Sequence, residues 1–582
     1  MYKMCLKHIS SPVKFGRFEC MRKDGSNIWL LCWRLSVLCV HTTDILNTDN
    51  KQKTTWSIIQ KITNNTKTLH PNRPIEINVN GISSTNSIGI ANAFNDYFTS
   101  VADNLIPKNC SKINIVNNND PMTYLRRSFK HCHSQINLDG VTTHEINKVI
   151  NSLKNKTSHE YDEISNKILK VSAPYILSPL TYIFNKVLSS WIFPNRLKYS
   201  EIQPLYQKGE KTEIANYRPI SLLSSFSEII EKIVYKRLNC FLVENNILTK
   251  EQFGFRENST TDMATYALLN NIQLSFKKKE LVGGIFCDLQ KAFDCVNHDV
   301  LLQKLKYYGI TDVAFKLLKS YLSNRYQRTA IKANNLNKSF SSWKIITCGV
   351  PQGSVLGPLL FLICINDLPV SINKTAKSIL CADDTSITIT NENKTEFRHT
   401  LQQAMIEINN WFQSNCLTLN YEKTHLLHFV TKKQAEIHQQ IVISNTVIKN
   451  ISSTRFLGLI IDTTLSWKDH ITEIIPKLNK ACYIVRTLIF LRSPEVLRMV
   501  YFSYFQSVMS YGIIFWGNSH HSVKVFKIKK WIIQIITNSN RYDTCPLFKQ
   551  LGILPLPSQY IFSILFVVKN KNLFQLNSQF TY

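Results

Sequence analysis

Apolar and polar positions along the chain change their period several times. In "SIGIANAFNDYFTSVADNL" (87–105), Ile90, Ala93, Phe94 and Phe98 fall on one face of a 3.6-residue period, which predicts a helix. The Asn-rich stretch that follows, with "NNNDP" at 117–121, predicts a boundary loop over 106–135. "THEINKVINSLKNKTS" (143–158) predicts a helix with Thr143 as its N-cap. Between about 175 and 465, short β-favouring runs alternate with helical patterns. The strand candidates are "GGIFCDL" (283–289), "WKIITCGV" (343–350), "SILCA" (378–382) and "HLLHFV" (425–430). The helix candidates are 227–246 and "GPLLFLICINDLP" (357–369). Strands this remote from one another favour an α+β layered domain over a doubly wound sheet. Beyond 470 the pattern is nearly all helical.

Residues 1–50 carry no clear period and stand as an unplaced leader; 51–135 reads as a helical and loop linker region. "WLLCWRLSVLCV" (29–40) is apolar but short, and Arg34 interrupts it, so it is read neither as a spanning helix nor as a signal peptide.

Charge sharpens the picture. The 582 residues hold 69 Lys+Arg against 40 Asp+Glu, a formal net charge of +29. An excess of that size points to a polyanionic partner, nucleic acid ahead of an anionic membrane, with salt-dependent binding. The 15 cysteines are scattered without a CxxC pair. That pattern fits a reducing, intracellular compartment, nucleus and cytoplasm, rather than a disulfide framework. "HCH" at 131–133 lacks a second ligand pair at zinc spacing.

Candidate chemistry lies in "SILCADDTSITI" (378–389), where Asp383 and Asp384 interrupt an extended apolar run at the expected tip of a hairpin. Asp is a common turn residue, so the pair alone says little. "GGIFCDLQKAFDCVNH" (283–298) ends another apolar strand on Asp288. Carboxylates converging from two strand ends raise each other's pKa unless cations lie between them. Mg²⁺ suits such a place, being held by one or two carboxylates together with substrate phosphates, and Mn²⁺ is the alternative ion.

"NYRPISLL", "DLQKAFD", "GVPQGSVLGPLLF" and "ADD" follow one another in that order. Together they resemble the reverse transcriptases of non-long-terminal-repeat retrotransposons of the jockey-like LINE class. The likeness covers about 195–470 and extends more weakly over 51–135 and 470–545. It implies an RNA-directed DNA polymerase shaped as a right hand. Fingers and palm, with an antiparallel sheet packed on helices, would occupy 136–470, and a helical thumb and C-terminal region 471–582. It also implies an RNA template, a DNA primer and deoxynucleoside triphosphates as partners, with no membrane.

By the same resemblance Asp288 and Asp383 hold two Mg²⁺ ions, with Asp384 more peripheral and the carbonyl of Leu289 an added ligand. Phe293 is the aromatic gate under the sugar, and Gln352 and Gly353 line the nucleotide and template pocket. Arg218 clamps the triphosphate, with Lys208 a second cation that reads more readily as a solvated charge. Lys423, in "WFQSNCLTLNYEKTHLLHF" (411–429), is the general acid for departing pyrophosphate. Arg256 and Ser259 are expected on backbone phosphates, while Asp294 and Asp299 are expected to be structural or capping. Cys381 replaces the aromatic that usually opens the hairpin. Nothing in 1–135 matches the Asp/His/Glu/Asn constellation of the endonuclease that accompanies this class, so the chain is expected to lack it. A catalytically inactive nucleic-acid-binding remnant and a maturase-like RNA-binding protein remain the alternatives.

Overall fold

A computed structural model describes residues 76–79, 82–105, 120–129, 134–155, 161–332, 338–372, 376–431, 441–443, 446–489, 494–539 and 544–571. The leader at 1–50 and the "HCH" string lie outside them. The chain divides into two compact units, His70–His470 and, together with residues 1–69, Ile471–Tyr582.

In the larger unit a small hairpin, β1 (Ile77–Val79) and β2 (Ile82–Ser84), precedes helix α1 (Ser87–Leu105). The helix buries Ile90, Ala91, Phe94 and Phe98; Ala93 lies one position off the buried stripe. The expected loop at 106–135 contains a helix, α2 (Pro121–Ser128). Its "NDP" start is a cap: Asp120 accepts from the Met122 amide and Pro121 occupies the first turn, where its missing N–H costs nothing. Helix α3 (Thr143–Ser152) is capped by Thr142, one residue before the expected cap, its hydroxyl accepting from the Glu145 amide.

One sheet runs β4 (Tyr217–Leu223), β3 (Tyr199–Tyr206), β6 (Arg325–Lys332), β7 (Lys338–Phe340), with β8 (Lys344–Ile346) also paired to β6. Strand β8 is shorter than the run 343–350 suggested, since Gly349 turns the chain at φ +85. One face packs on α1: Gln327 donates to Asn95, and Phe94 meets Tyr217 edge-on at 5.0 Å.

The second sheet has the order β12 (Ile441–Ile443), β13 (Thr446–Asn450), β11 (His425–Phe429), β5 (Leu281–Cys287), β10 (Asp384–Asn391), β9 (Lys377–Cys381). Its pairs are antiparallel except β11 with β13. Helices α4 (Thr261–Lys277) and α5 (Lys394–Ser414) pack against it. Burying side chains such as Ile285, Ile387, Trp411 and Phe412 stabilises this layer by about 1.5–3 kcal/mol each.

The helix expected over 357–369 breaks into Leu356–Ile365 and Leu368–Ile372. At the break Asn366 accepts from the Thr249 amide and donates to the Ile247 carbonyl, and Asp367 meets Lys304 and Trp411. The helix gives up continuity to satisfy buried polar groups. A hairpin, β14 (Ser453–Phe456) and β15 (Leu459–Asp462), closes the unit.

The second unit is helical in its described residues, with a π-helical turn at Tyr501–Gln506. Among the described residues no single helix is long and apolar enough to cross a membrane; Cys545–Leu551 with Leu556–Val568 passes that test only jointly, as a pair bent by 49°.

Candidate active site

The register of β5 with β10 sets Thr385 opposite Cys287, so the next residues outward, Asp384 and Asp288, meet at the ends of both strands. Asp384 also pairs with Cys381 on β9, which leaves Ala382 and Asp383 as a two-residue turn with Ala382 at φ +59. "QFGF" (252–255) supports this turn from beside β9. Leu380 donates to the Glu251 carbonyl, Phe253 donates to the Leu380 carbonyl, and the Gln252 side-chain oxygen accepts from Gly254 and Ala382. A Cβ on Gly254 would stand 2.2 Å from the Ala382 nitrogen, so only glycine fits there. Arg256, expected on phosphates, spends its guanidinium on the Thr249 and Gln252 carbonyls and braces the same strut.

Crowded carboxylates shape the electrostatics. Burial first, then Asp383 and Asp288, push the Asp384 carboxyl up to about 6, with Arg218 pulling the other way. Asp383 is raised mainly by burial, offset by its backbone hydrogen bond and Arg218. Lys423 Nζ lies 3.2 Å from Asp288 Oδ2, an oxygen with no hydrogen bond of its own. The expected general acid therefore rests on the expected metal ligand.

Among the described residues no three His, Cys, Asp or Glu side chains stand close enough to hold an ion by themselves. Mg²⁺ takes one or two carboxylates and completes its shell with water and substrate phosphate. The Asp288 oxygen, without a hydrogen bond, and the Asp383 and Asp384 carboxyls, both raised by burial and by Asp288, are hard donors that a divalent cation would relieve. Leu289 is bridged to Leu419, and the adjoining backbone bonds run through the Asp288 carbonyl and the Gln290 amide.

A cavity of about 1170 Å³ opens here. It is lined by Asp288, Leu289, Phe293, Gln352, Gly353, Asp383 and Lys423 of the palm side and by Lys208 and Arg218 of the other sheet. Of the expected site residues only Asp384, Arg256 and Ser259 do not line this cavity, and Asp384 adjoins it through Asp383. Arg218 and Lys208 are exposed. Phe293 is half-buried, stacked on Phe361 at 4.7 Å and edge-on to Phe255 at 6.2 Å.

Gln352 and Gly353 of "GVPQGSVLGP" both line the cavity, and the Gln352 amide donates to Asp294 Oδ1 at 2.9 Å. The glycines serve internal packing: a Cβ on Gly353, at φ +123, would lie 2.7 Å from the Ser221 carbonyl oxygen, and one on Gly349 would meet the Asp294 backbone. Asp294 is structural, as expected, but its enclosed carboxyl is pushed up to about 6 by burial, against Gln352, Lys291 and Arg218. Asp299 does not cap its helix; Asn297 does, accepting from Asp299 and Val300.

Sequence reasoning missed Tyr97, Asn104 and Leu105 of α1, which line the cavity from outside the motif blocks. It also passed over Lys291, inside "DLQKAFD". The Lys291 ammonium donates to the Tyr217 and Ala215 carbonyls beside Arg218.

A sheet that sets strand-end carboxylates under a hairpin turn, facing a cation-bearing sheet across one cavity, defines the palm and fingers of a right-hand polymerase fold. Residues 207–461 match the family described as reverse transcriptase (RNA-dependent DNA polymerase), and the chain carries a reverse transcriptase domain there. The chain is 31% identical over 393 residues to the probable RNA-directed DNA polymerase from transposon BS of Drosophila melanogaster, covering 65% of this chain and 42% of that protein. It is 29% identical over 344 residues to the RNA-directed DNA polymerase from mobile element jockey of the same organism, covering 58% and 37%. The chain thus spans about two fifths of the length of these relatives. A solved telomerase from Candida albicans, with a fragment of telomeric RNA, overlaps 64% of this chain and 68% of its own at a TM-score of 0.31 and 13% identity, too loosely to carry an argument.

Proposed function

We propose that this chain extends a DNA primer on an RNA template, and that it does so as the polymerase of a non-long-terminal-repeat retrotransposon. The convergence of Asp288 with Asp383 and Asp384, opposite Arg218 across one cavity, is the observation that carries this reading. In the reaction the primer 3′-hydroxyl attacks the α-phosphorus of a deoxynucleoside triphosphate, one P–O bond forms, and the bond to pyrophosphate breaks.

Asp288, Asp383 and Asp384 would hold Mg²⁺, which supplies charge neutralisation and a polarised nucleophile in such displacements. Arg218 holds the triphosphate through a planar, permanently charged fork. The Phe293 ring, stacked on Phe361 and lining the cavity, would clash with a 2′-hydroxyl and so favour deoxynucleotides. Lys423, 3.2 Å from Asp288 at the cavity wall, would donate a proton to the departing pyrophosphate. The described cysteines are free thiols, which supports action in the reducing nucleus and cytoplasm.

The test is primer extension on an RNA template over a Mg²⁺ series, with Asp383→Asn as control and ribonucleotides in a parallel arm. Deoxynucleotide products from the wild-type chain alone support the proposal. Template binding without extension at any Mg²⁺ concentration overturns it in favour of an inactive binder.

A further inference from the structure

The edge strand that carries Arg218 has little of its own to hold it in place. Strand β4 pairs with β3 on one side only, Leu205 lying opposite Arg218. Backbone alternation fixes what its other edge presents. The Asn216 carbonyl turns inward to accept from Gln207, so the Tyr217 carbonyl turns outward. Four residues on, the Ser221 amide again points outward. An edge with such open groups is free to shift or pair elsewhere unless something caps it.

Both outward groups are held from the palm side. The Lys291 ammonium donates to the Tyr217 carbonyl at 3.0 Å and the Ala215 carbonyl at 3.3 Å, and stands 5.7 Å from the Tyr97 ring centre. The Gln352 carbonyl accepts from Ser221 at 2.8 Å, an approach that depends on Gly353 having no side chain. Lys291 itself is placed by a turn at φ +45, three residues after Asp288. Arg218 lies between the two attachments.

We infer that Lys291 is a positioning residue: it fixes the β4 edge, and with it the Arg218 guanidinium, at a set distance from the carboxylates of the palm. The inference rests on the reading of the cavity as a nucleotide site. Lys291 lines the cavity, but its ammonium is engaged by the Tyr217 and Ala215 backbone carbonyls. Its loss therefore weakens the hold on the triphosphate while leaving the chemistry of a bound nucleotide nearly intact.

Single-nucleotide incorporation tests this with Lys291→Met, Lys291→Arg, Arg218→Ala and the double variant. Lys291→Met is expected to raise KM for the deoxynucleotide about tenfold and to change kcat less than about threefold, since two charge-assisted bonds are lost away from the reacting atoms. Lys291→Arg, which keeps the donors, is expected to recover most of the loss. In the Arg218→Ala background, Lys291→Met is expected to add less than about twofold, because both act through one guanidinium.

An unchanged KM in Lys291→Met overturns the inference, as does full additivity with Arg218→Ala. A fall in kcat alone, unrescued by Arg and accompanied by a lower Tm, assigns Lys291 to folding and overturns it too. If Lys291→Met does not fold, Lys291→Gln is read by the same criteria. A wild-type chain that extends no primer sinks the polymerase reading itself, whereas an active wild type with an unshifted Lys291→Met sinks only this inference.

Discussion

Two lysine–aspartate pairs in the larger unit look alike on paper and differ in everything that matters. Lys304 and Asp367 are fully buried and 2.5 Å apart, with Trp411 Nε1 donating to the second Asp367 oxygen and Lys304 also donating to the Cys364 carbonyl. Lys423 and Asp288 stand 3.2 Å apart at the cavity wall, with side chains 52% and 33% exposed and the Asp288 oxygen short of hydrogen bonds. The first pair is saturated and belongs to the core, joining three helices around the break at Asn366. The second is unsaturated and wet, so a better cation can displace the lysine. Saturation separates a structural ion pair from a functional one here more sharply than distance does.

Breaking each pair gives the largest contrast. Asp367→Ala strands a buried ammonium and is expected to cost about 3–5 kcal/mol in chemical denaturation. Asp288→Asn is expected to shift stability by less than about 1 kcal/mol, because half-exposed pairs contribute little. Its effect falls on primer extension instead, a loss of about a thousandfold or more. Replacing the core pair together, Lys304→Met with Asp367→Leu, is expected to regain much of the stability lost by the single change. A double variant as unstable as Asp367→Ala would show that the pair holds the helix break by geometry and not by charge balance.

Lys423→Met should lower kcat about 100-fold or more, as loss of a general acid does. It should also reduce the Mg²⁺ concentration needed for half-maximal rate, since the competing ammonium is gone. A raised Mg²⁺ requirement would contradict displacement of the lysine.

Acidity separates the site from the core in another way. The Asp384 and Asp294 carboxyls are each pushed up to about 6, burial being the first cause for both. The folded chain then binds more protons than the unfolded chain between about pH 4 and pH 6. Stability without metal is therefore expected to fall as pH rises through that window, then level off. Extension runs the opposite way, falling at acid pH as the carboxylates protonate and lose their cation. Thermal unfolding and single-turnover rates, measured across the same pH series, check both signs. The smallest effect is at Lys208, exposed on the cavity rim, where Lys208→Ala should change KM for the nucleotide less than about threefold.

Much of this site can be read directly from the string of residues. Asp288, Asp383 and Asp384 stand out only together: a turn accounts for the Asp pair alone, but not for a third carboxylate at the end of another apolar strand. Arg218 and Phe293 follow from the order of the blocks. The roles of the "GVPQGSVLGP" glycines do not, because whether a glycine admits a ligand or a neighbouring strand depends on contacts far away in the chain. Gly353 meets Ser221, more than a hundred positions upstream. Gln352 and Arg256 carry donors that suit nucleic acid equally well on paper, and the fold spends them on Asp294 and on loop carbonyls. Lys291 was hidden for the opposite reason: a lysine beside a polar cluster looks solvated until β4 is placed against it. Helix α2 was concealed by "NNNDP", whose Asp-Pro serves a helix start as readily as a loop.

The account stands most directly on whether Asp288 exchanges its lysine for a divalent ion. Mn²⁺ binding, followed by water-proton relaxation with a deoxynucleoside triphosphate present, measures this without turnover. Uptake by the wild-type chain, tighter uptake by Lys423→Met and strongly weakened uptake by Asp288→Asn and Asp383→Asn are the predicted results. Equal Mn²⁺ affinity in all four proteins would contradict it.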